Sequence, residues 1–346
     1  MAKKSNDGVI LDKKDLEVLF ERLVSDYAVY GLPDDDHEKT ICRVKTLGEL
    51  DIDHKNTRVS WKRHFFPQTE TLFSFDAQAM GSPAVEEQET DKQHILFAVR
   101  PCDAMAIALM DRLFIEEGAG DPYYARRRTK TVIVSFACTD PAPACFCSSV
   151  GGGPDSETGC DLVFYDLKDR YYIRKVTEQG AAVLDKTASK VSPAARKDQE
   201  EKDRAMDRSR AKLDKAFDPA ALAEKLEDFS ASIWETLHQK CLGCGVCTYL
   251  CPTCHCFDIT DEVVKTRGRR VRTWDSCMFP LFTLHASGHN PRPGAKQRMR
   301  QRLMHKFNYA LKNAGQVFCV GCGRCVIHCP VNLDIRAVLR QIAGEK

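Results

Sequence analysis

The amino-acid sequence predicts an α/β N-terminal domain followed by a mostly α-helical, cysteine-rich C-terminal domain. Three observations carry that reading. A strand–helix–strand pattern lies between residues 95 and 137, two near-identical cysteine runs occupy the last third, and a highly charged stretch separates them. The expected boundaries are 1–190 for the α/β domain, 191–230 for a charged linker or helix, and 231–346 for the cysteine-rich domain. A chain of 346 residues is long enough for two buried cores.

From the N-terminus, residues 11–30 read as an amphipathic helix, with Leu16, Leu19, Phe20, Leu23 and Tyr27 at helical spacing, Asp12 as its cap, and Gly31 and Pro33 ending it. Residues 95–99 form a short apolar run of strand type. Residues 103–114 carry helical spacing through Met105, Leu109 and Leu113, and residues 131–137 are a second β-rich run. Strand, helix, strand implies a parallel βαβ unit with a right-handed crossover. A hairpin is expected over residues 162–176. Residues 196–218 hold fifteen charges of both signs in twenty-three positions, the composition of a solvated linker or exposed helix. Asp218 and Pro219 have the order of an N-cap and first helical residue, opening a helix over 220–229.

The chemistry is concentrated in the two runs C-L-G-C-G-V-C-T-Y-L-C-P, from Cys241, and C-V-G-C-G-R-C-V-I-H-C-P, from Cys319. Three thiols at C-x-x-C-x-x-C spacing converge on one cluster, and the fourth, before proline, ligates the partner cluster; this is the bacterial ferredoxin pattern for 4Fe–4S centres. One cluster is therefore expected on Cys241, Cys244, Cys247 and Cys329, and a second on Cys319, Cys322, Cys325 and Cys251. Gly243, Gly245, Gly321 and Gly323 let the backbone wrap closely. Zinc would need only four ligands, usually as two separated pairs. The runs lie 68 positions apart, counted from Cys251 to Cys319. Helical stripes through Met299, Leu303, Phe307 and Leu311, and through Ile335, Val338, Leu339 and Ile342, point to a mostly helical ferredoxin domain.

The βαβ unit places Cys102 after its first strand and Cys138 after its second, on one edge of a parallel sheet, with Cys145 and Cys147 close behind. These four thiols suit a third 4Fe–4S cluster; a zinc site or simple packing would use the same residues. Cys160 is a spare ligand. Cys254, Cys256 and Cys277 read as core thiols packed near the first run, the alternative being a further site with His255. His285 and His289 make a weak pair. Gly151-Gly152-Gly153-Pro154 reads as a turn without P-loop context.

Seventeen cysteines and no apolar leader point to metal ligands in a reducing cytoplasm, and oxygen-sensitive clusters to an anaerobic setting. No apolar stretch reaches membrane-spanning length. A net charge of +2 gives no global field for nucleic acid. Between Lys265 and Lys306, however, eleven Lys or Arg stand against one acid, Asp275, which reads either as a solvated helix face or as a basic surface that raises the potentials of nearby clusters or docks an acidic partner.

The segments R-P-C-D (100–103), D-P-Y-Y-A-R-R (121–127), C-F-C-S (145–148), C-P-T-C-H-C (251–256), W-D-S-C-M-F (274–279) and A-S-G-H-N (286–290), with the second cysteine run, resemble a known family. It is the family of iron–sulfur β-subunits related to the iron–sulfur subunit of anaerobic sulfite reductase and to the sulfhydrogenase β-subunit. The chain looks most similar to the version found in flavin oxidoreductase complexes linked to heterodisulfide reductase. The resemblance implies an electron-transfer protein that bridges a FAD subunit oxidising NAD(P)H and a terminal reductase or hydrogenase. It also favours the third cluster. A-S-G-H-N departs from the A-G-G-H form found in the sulfite reductase relative. The alternatives are a component of anaerobic sulfite reductase itself, or a catalytic iron–sulfur enzyme with an open-site cluster in the N-terminal domain and Asp103 as its acid or base.

Overall fold

The computed structural model describes residues 8–34, 40–76, 92–115, 120–213 and 217–344. The N-terminal region runs β1 (Gly8–Asp12), α1 (Leu16–Asp26), β2 (Ala28–Gly31), β3 (Cys42–Arg43), β4 (Thr69–Asp76), β5 (His94–Val99), α2 (Pro101–Phe114), α3 (Pro122–Thr129), β6 (Thr131–Phe136), β7 (Leu162–Asp166), β8 (Arg170–Lys175), α4 (Glu178–Thr187), β9 (Ser192–Pro193) and α5 (Arg196–Arg210). Eight of these strands form one sheet in the order β3-β2-β5-β6-β7-β8-β1-β9. Its centre, β2-β5-β6-β7, is parallel. β7 and β8 make the expected hairpin, and β1 returns antiparallel beside β8. The domain is thus a mixed sheet, since hairpins can only extend a parallel core in the antiparallel sense.

Both faces are covered. Leu16, Leu19, Phe20 and Leu23 of α1 pack on one with Val183 and Leu184 of α4. Ala104, Ile107 and Met110 of α2 pack on the other with Met206 of α5. The helix expected over 11–30 is shorter: Leu11 and Asp12 belong to β1, and Tyr30 and Gly31 to β2. The apolar pattern is continuous because Leu11 and Tyr30 extend it through buried or half-buried strand positions.

Residues 196–210 of the charged stretch form helix α5, and it is docked. Arg170 of β8 pairs with Asp198 at 3.0 Å and Glu201 at 2.6 Å, while Tyr172 donates to Gln199 at 2.7 Å. Asp218 does cap the next helix, α6 (Pro219–Lys225), by accepting from the Ala220 amide. The C-terminal region continues with β10 (Phe257–Val264), β11 (Arg267–Trp274), α7 (Ala295–Met304), a π-helical turn (His305–Tyr309) and α8 (Ile335–Ala343). The hairpin β10–β11 departs from the helical expectation for the insert. It pairs with β4, far away in sequence, in a three-stranded sheet. Among the described residues no helix is long and apolar enough to cross a membrane.

That small sheet accounts for four of the eleven basic residues. Arg270 pairs with Asp261, Arg269 with Glu262 and Arg267 with Asp76. Arg272, 3% exposed, meets Glu70 at 2.5 Å and also Asp121. The acids are invisible in a count along the basic run because β4, β10 and the cap of α3 supply them. Removing one partner of a buried pair leaves its charge unanswered. Arg272→Met should therefore cost about 3 kcal/mol, read as a lower denaturant midpoint with an unchanged slope.

Candidate metal centres

The two cysteine runs fold alike. In each, both glycines adopt left-handed backbone, with φ of 68° and 75° at Gly243 and Gly245 and of 62° and 75° at Gly321 and Gly323. Each second glycine then caps a single helical turn, Val246–Tyr249 or Arg324–Ile327. A side chain at Gly245 would meet the Phe279 ring at 2.7 Å. Left-handed backbone turns the chain back on itself, so thiols three apart face one point.

One cavity is lined by Cys241, Cys244 and Cys247 of the first run and by Cys329 of the second. A neighbouring one is lined by Cys319, Cys322 and Cys325 of the second run and by Cys251 of the first. Cys325, Arg302 and Ile335 line both. Backbone amides aim at sulfur: Gly243 donates to Cys241 Sγ at 3.4 Å and Leu333 to Cys329 Sγ at 3.2 Å. Burial pushes the Cys322 thiol up to about 11 and that of Cys325 up to about 12. Among the described residues no three His, Cys, Asp or Glu side chains stand together at single-ion spacing.

The N-terminal thiols meet the second cavity from the other side. β5 ends in a bulge between Phe97 and Val99, with Ala98 at φ 62°. Past it, Arg100 precedes Pro101, the first residue of α2, and Cys102 sits in that helix's first turn. The thiols of Cys102, Cys138, Cys145 and Cys147 are linked as electrostatic neighbours, Cys102 to Cys138, Cys138 to Cys145, and Cys147 to both of the latter. Cys102 and Cys145 also neighbour Cys322. The Cys145–Cys147 loop lies on the second run, with the Phe146 amide donating to the Gly321 carbonyl at 2.8 Å. Cys160 is elsewhere, in the sheet core with its thiol toward the Ser156 carbonyl.

Unpaired polar atoms gather at this junction. Asp103 and Arg324 form an ion pair at 2.7 Å with both side chains 1% exposed. Arg324 Nε and Nη2 also donate to the carbonyl and hydroxyl of Thr57. Asp103 Oδ1, Arg324 Nη1 and Asn56 Oδ1 have no protein partner, although Asn56 Nδ2 donates to the Cys322 carbonyl at 3.0 Å. Buried polar atoms are nearly always satisfied, and the donor Arg324 Nη1 fits a group with sulfur acceptors and negative charge; the Asp103 and Asn56 oxygens are acceptors that such a group would not answer. Asp103 does stand in the first turn of α2, where a capping role would put it, but its main partner is Arg324.

Sequence reasoning counted Arg302 and Lys306 in the basic run but did not foresee that they, and Lys62, are buried. Lys306 Nζ donates to Cys251 Sγ at 3.2 Å. Lys62 Nζ donates to the Cys254 carbonyl at 2.8 Å and lies 4.0 Å above the Trp274 ring. Arg302 borders both cavities. The available signal was Arg298, Arg302 and Lys306 at four-residue steps in a helix without acids. Cys254 touches Cys251, and Cys256 touches Cys277; a hydrogen bond from Cys277 holds the Cys256 thiol below its usual range. Cys277 packs with Met278 and Met299 against Cys241 and Cys247. His285 and His289 sit on an exposed loop with rings 5.5 Å apart.

Residues 240–333 match the family described as a 4Fe-4S dicluster domain. The chain is 31% identical over 325 residues to the Sulfhydrogenase 2 subunit beta of Pyrococcus furiosus, an alignment covering 93% of this chain and 94% of that protein.

A Cβ at Gly321 would fall 2.5 Å from both Phe146 C and Cys147 N. Gly321→Ala should force the Cys145–Cys147 loop off the second run and cost about 2 kcal/mol or more. Chemical unfolding and faster thiol labelling of Cys145 and Cys147 would report it.

Proposed function

The chain belongs to the iron–sulfur β-subunit family of this sulfhydrogenase, and on that premise we propose that it is the electron-transfer subunit of an oxidoreductase complex. Cys241, Cys244, Cys247 and Cys329 hold one 4Fe–4S cluster; Cys319, Cys322, Cys325 and Cys251 hold a second; Cys102, Cys138, Cys145 and Cys147 hold a third. When bound, such clusters supply one-electron carriers whose potentials follow local charge, hydrogen bonds to sulfur and exposure. The observation that carries this reading is the crossing of the fourth thiols, with Cys329 in the cavity of the first run and Cys251 in that of the second.

The protein's own part is to hold the sites in series and to open the series at its ends. The two ferredoxin-type cavities share lining residues, and the N-terminal thiols abut the second through Cys322. Met278, Met299 and Ile335 exclude water from the first. At that end Cys244 and Leu242 reach the surface. At the other, Cys138 lines a crevice at the sheet edge whose rim includes the exposed Lys55 and Asp140. A flavin subunit oxidising NAD(P)H at one end and a terminal reductase or hydrogenase at the other fit this layout, in an anaerobic cytoplasm. Four thiols at the N-terminal site leave no iron open, which favours relay over catalysis there.

Anaerobically purified protein should carry about twelve irons and as many sulfides. Cys145→Ser or Cys147→Ser should lose about four of them; full iron in both variants removes the third cluster, and zinc without iron removes the proposal. NAD(P)H should not bleach the visible absorption of the isolated protein until the flavin partner is added.

A further inference from the structure

The helix that walls the first cavity also brings two cations to the thiols, Arg302 at both cavities and Lys306 at the second. Arg302 is 4% exposed, borders both, and its Nε has no protein partner. Lys306, also 4% exposed, donates from Nζ to Cys251 Sγ at 3.2 Å and to Thr253 Oγ1 and the Phe318 carbonyl at 3.0 Å each. Its own carbonyl accepts from the Phe318 amide at 2.9 Å. Lys306 therefore grips the residue before Cys319 at two points, from within the π-helical turn His305–Tyr309. Such turns widen the helix locally and free a carbonyl for outside partners.

Among the described residues neither cation pairs with a carboxylate. The groups of opposite charge that face them are thiols: Cys247, Cys325, Cys254 and Cys251 around Arg302, and Cys251, Cys254 and Cys319 around Lys306. A buried cation persists only where an anion answers it. Here the answering charge is thiolate and cluster.

We infer that Arg302 and Lys306 are positioning residues that set the reduction potentials of the two ferredoxin-type clusters, Lys306 acting on the second alone and Arg302 on both. Each reduction adds one negative charge, and a fixed cation or N–H···S bond nearby favours the reduced form. The assignment follows from contact: Lys306 touches a sulfur of the second cavity and does not line the first, whereas Arg302 lines the two. This rests on the electron-transfer reading above.

The test is a reductive titration of anaerobic protein followed by electron paramagnetic resonance, with iron counted first. Wild-type protein without clusters sinks the electron-transfer reading itself. Given clusters, Lys306→Gln should reduce the ratio of reduced to oxidised second cluster at a fixed poise at least tenfold, about 59 mV for one electron, and leave the first wave in place. Arg302→Gln should lower both waves, and Lys306→Arg should restore the second. If Lys306→Gln loads one cluster fewer, recovery of iron and potential in Lys306→Arg supports the charge role, and failure to recover overturns it. Unmoved waves in fully loaded Lys306→Gln, or one moved wave in Arg302→Gln, also overturn it.

Discussion

Cys329 of the second cysteine run lines the cavity of the first, Cys251 of the first lines that of the second, and the remaining architecture answers to that exchange. Neither cavity is complete until both runs lie side by side, so the long segment between them must fold into something that returns the chain at a fixed distance. The hairpin β10–β11 and the helix from Ala295 through the π-helical turn do this. Gly245 and Gly323 allow the approach, because any side chain there would strike Phe279 or the backbone of Ala144.

Gathering thiolates in a core with little water raises a charge problem, and the fold meets it from several elements at once. Lys62 arrives from the N-terminal region, Arg302 and Lys306 from the long helix, and Arg324 from the second run itself. Arg324 then ties the halves together through Asp103 of α2 and Thr57. Helix α2 is accordingly apolar on two sides. Ala104, Ile107 and Met110 meet the sheet, while Met105 and Leu109 meet Phe318, Val320 and Cys322. The N-terminal sheet is thus a wall of the same interior, and β4 even completes the small sheet of the C-terminal half.

Local signals were legible where a residue type has few uses. The Asp218–Pro219 helix start and the apolar runs that became β5 and β6 stand where their chemistry put them. The reading failed where one pattern serves two elements, as at Leu11 and Tyr30, which continue a helical stripe from neighbouring strands. It failed also where meaning depends on a distant partner. Arg267, Arg269, Arg270 and Arg272 read as a basic face until β4 and β10 brought acids beside them.

The sequence by itself determined the kind of chemistry, because thiols in C-x-x-C-x-x-C order followed by C-P have a local geometry suited to an iron–sulfur cube. Tertiary structure alone decided which cations enter the thiol core, and that the Cys145–Cys147 loop rests on Gly321 rather than facing solvent. The reason is physical: ligand convergence is set by torsion angles within a few residues, whereas burial of charge is set by whatever the rest of the chain packs against it.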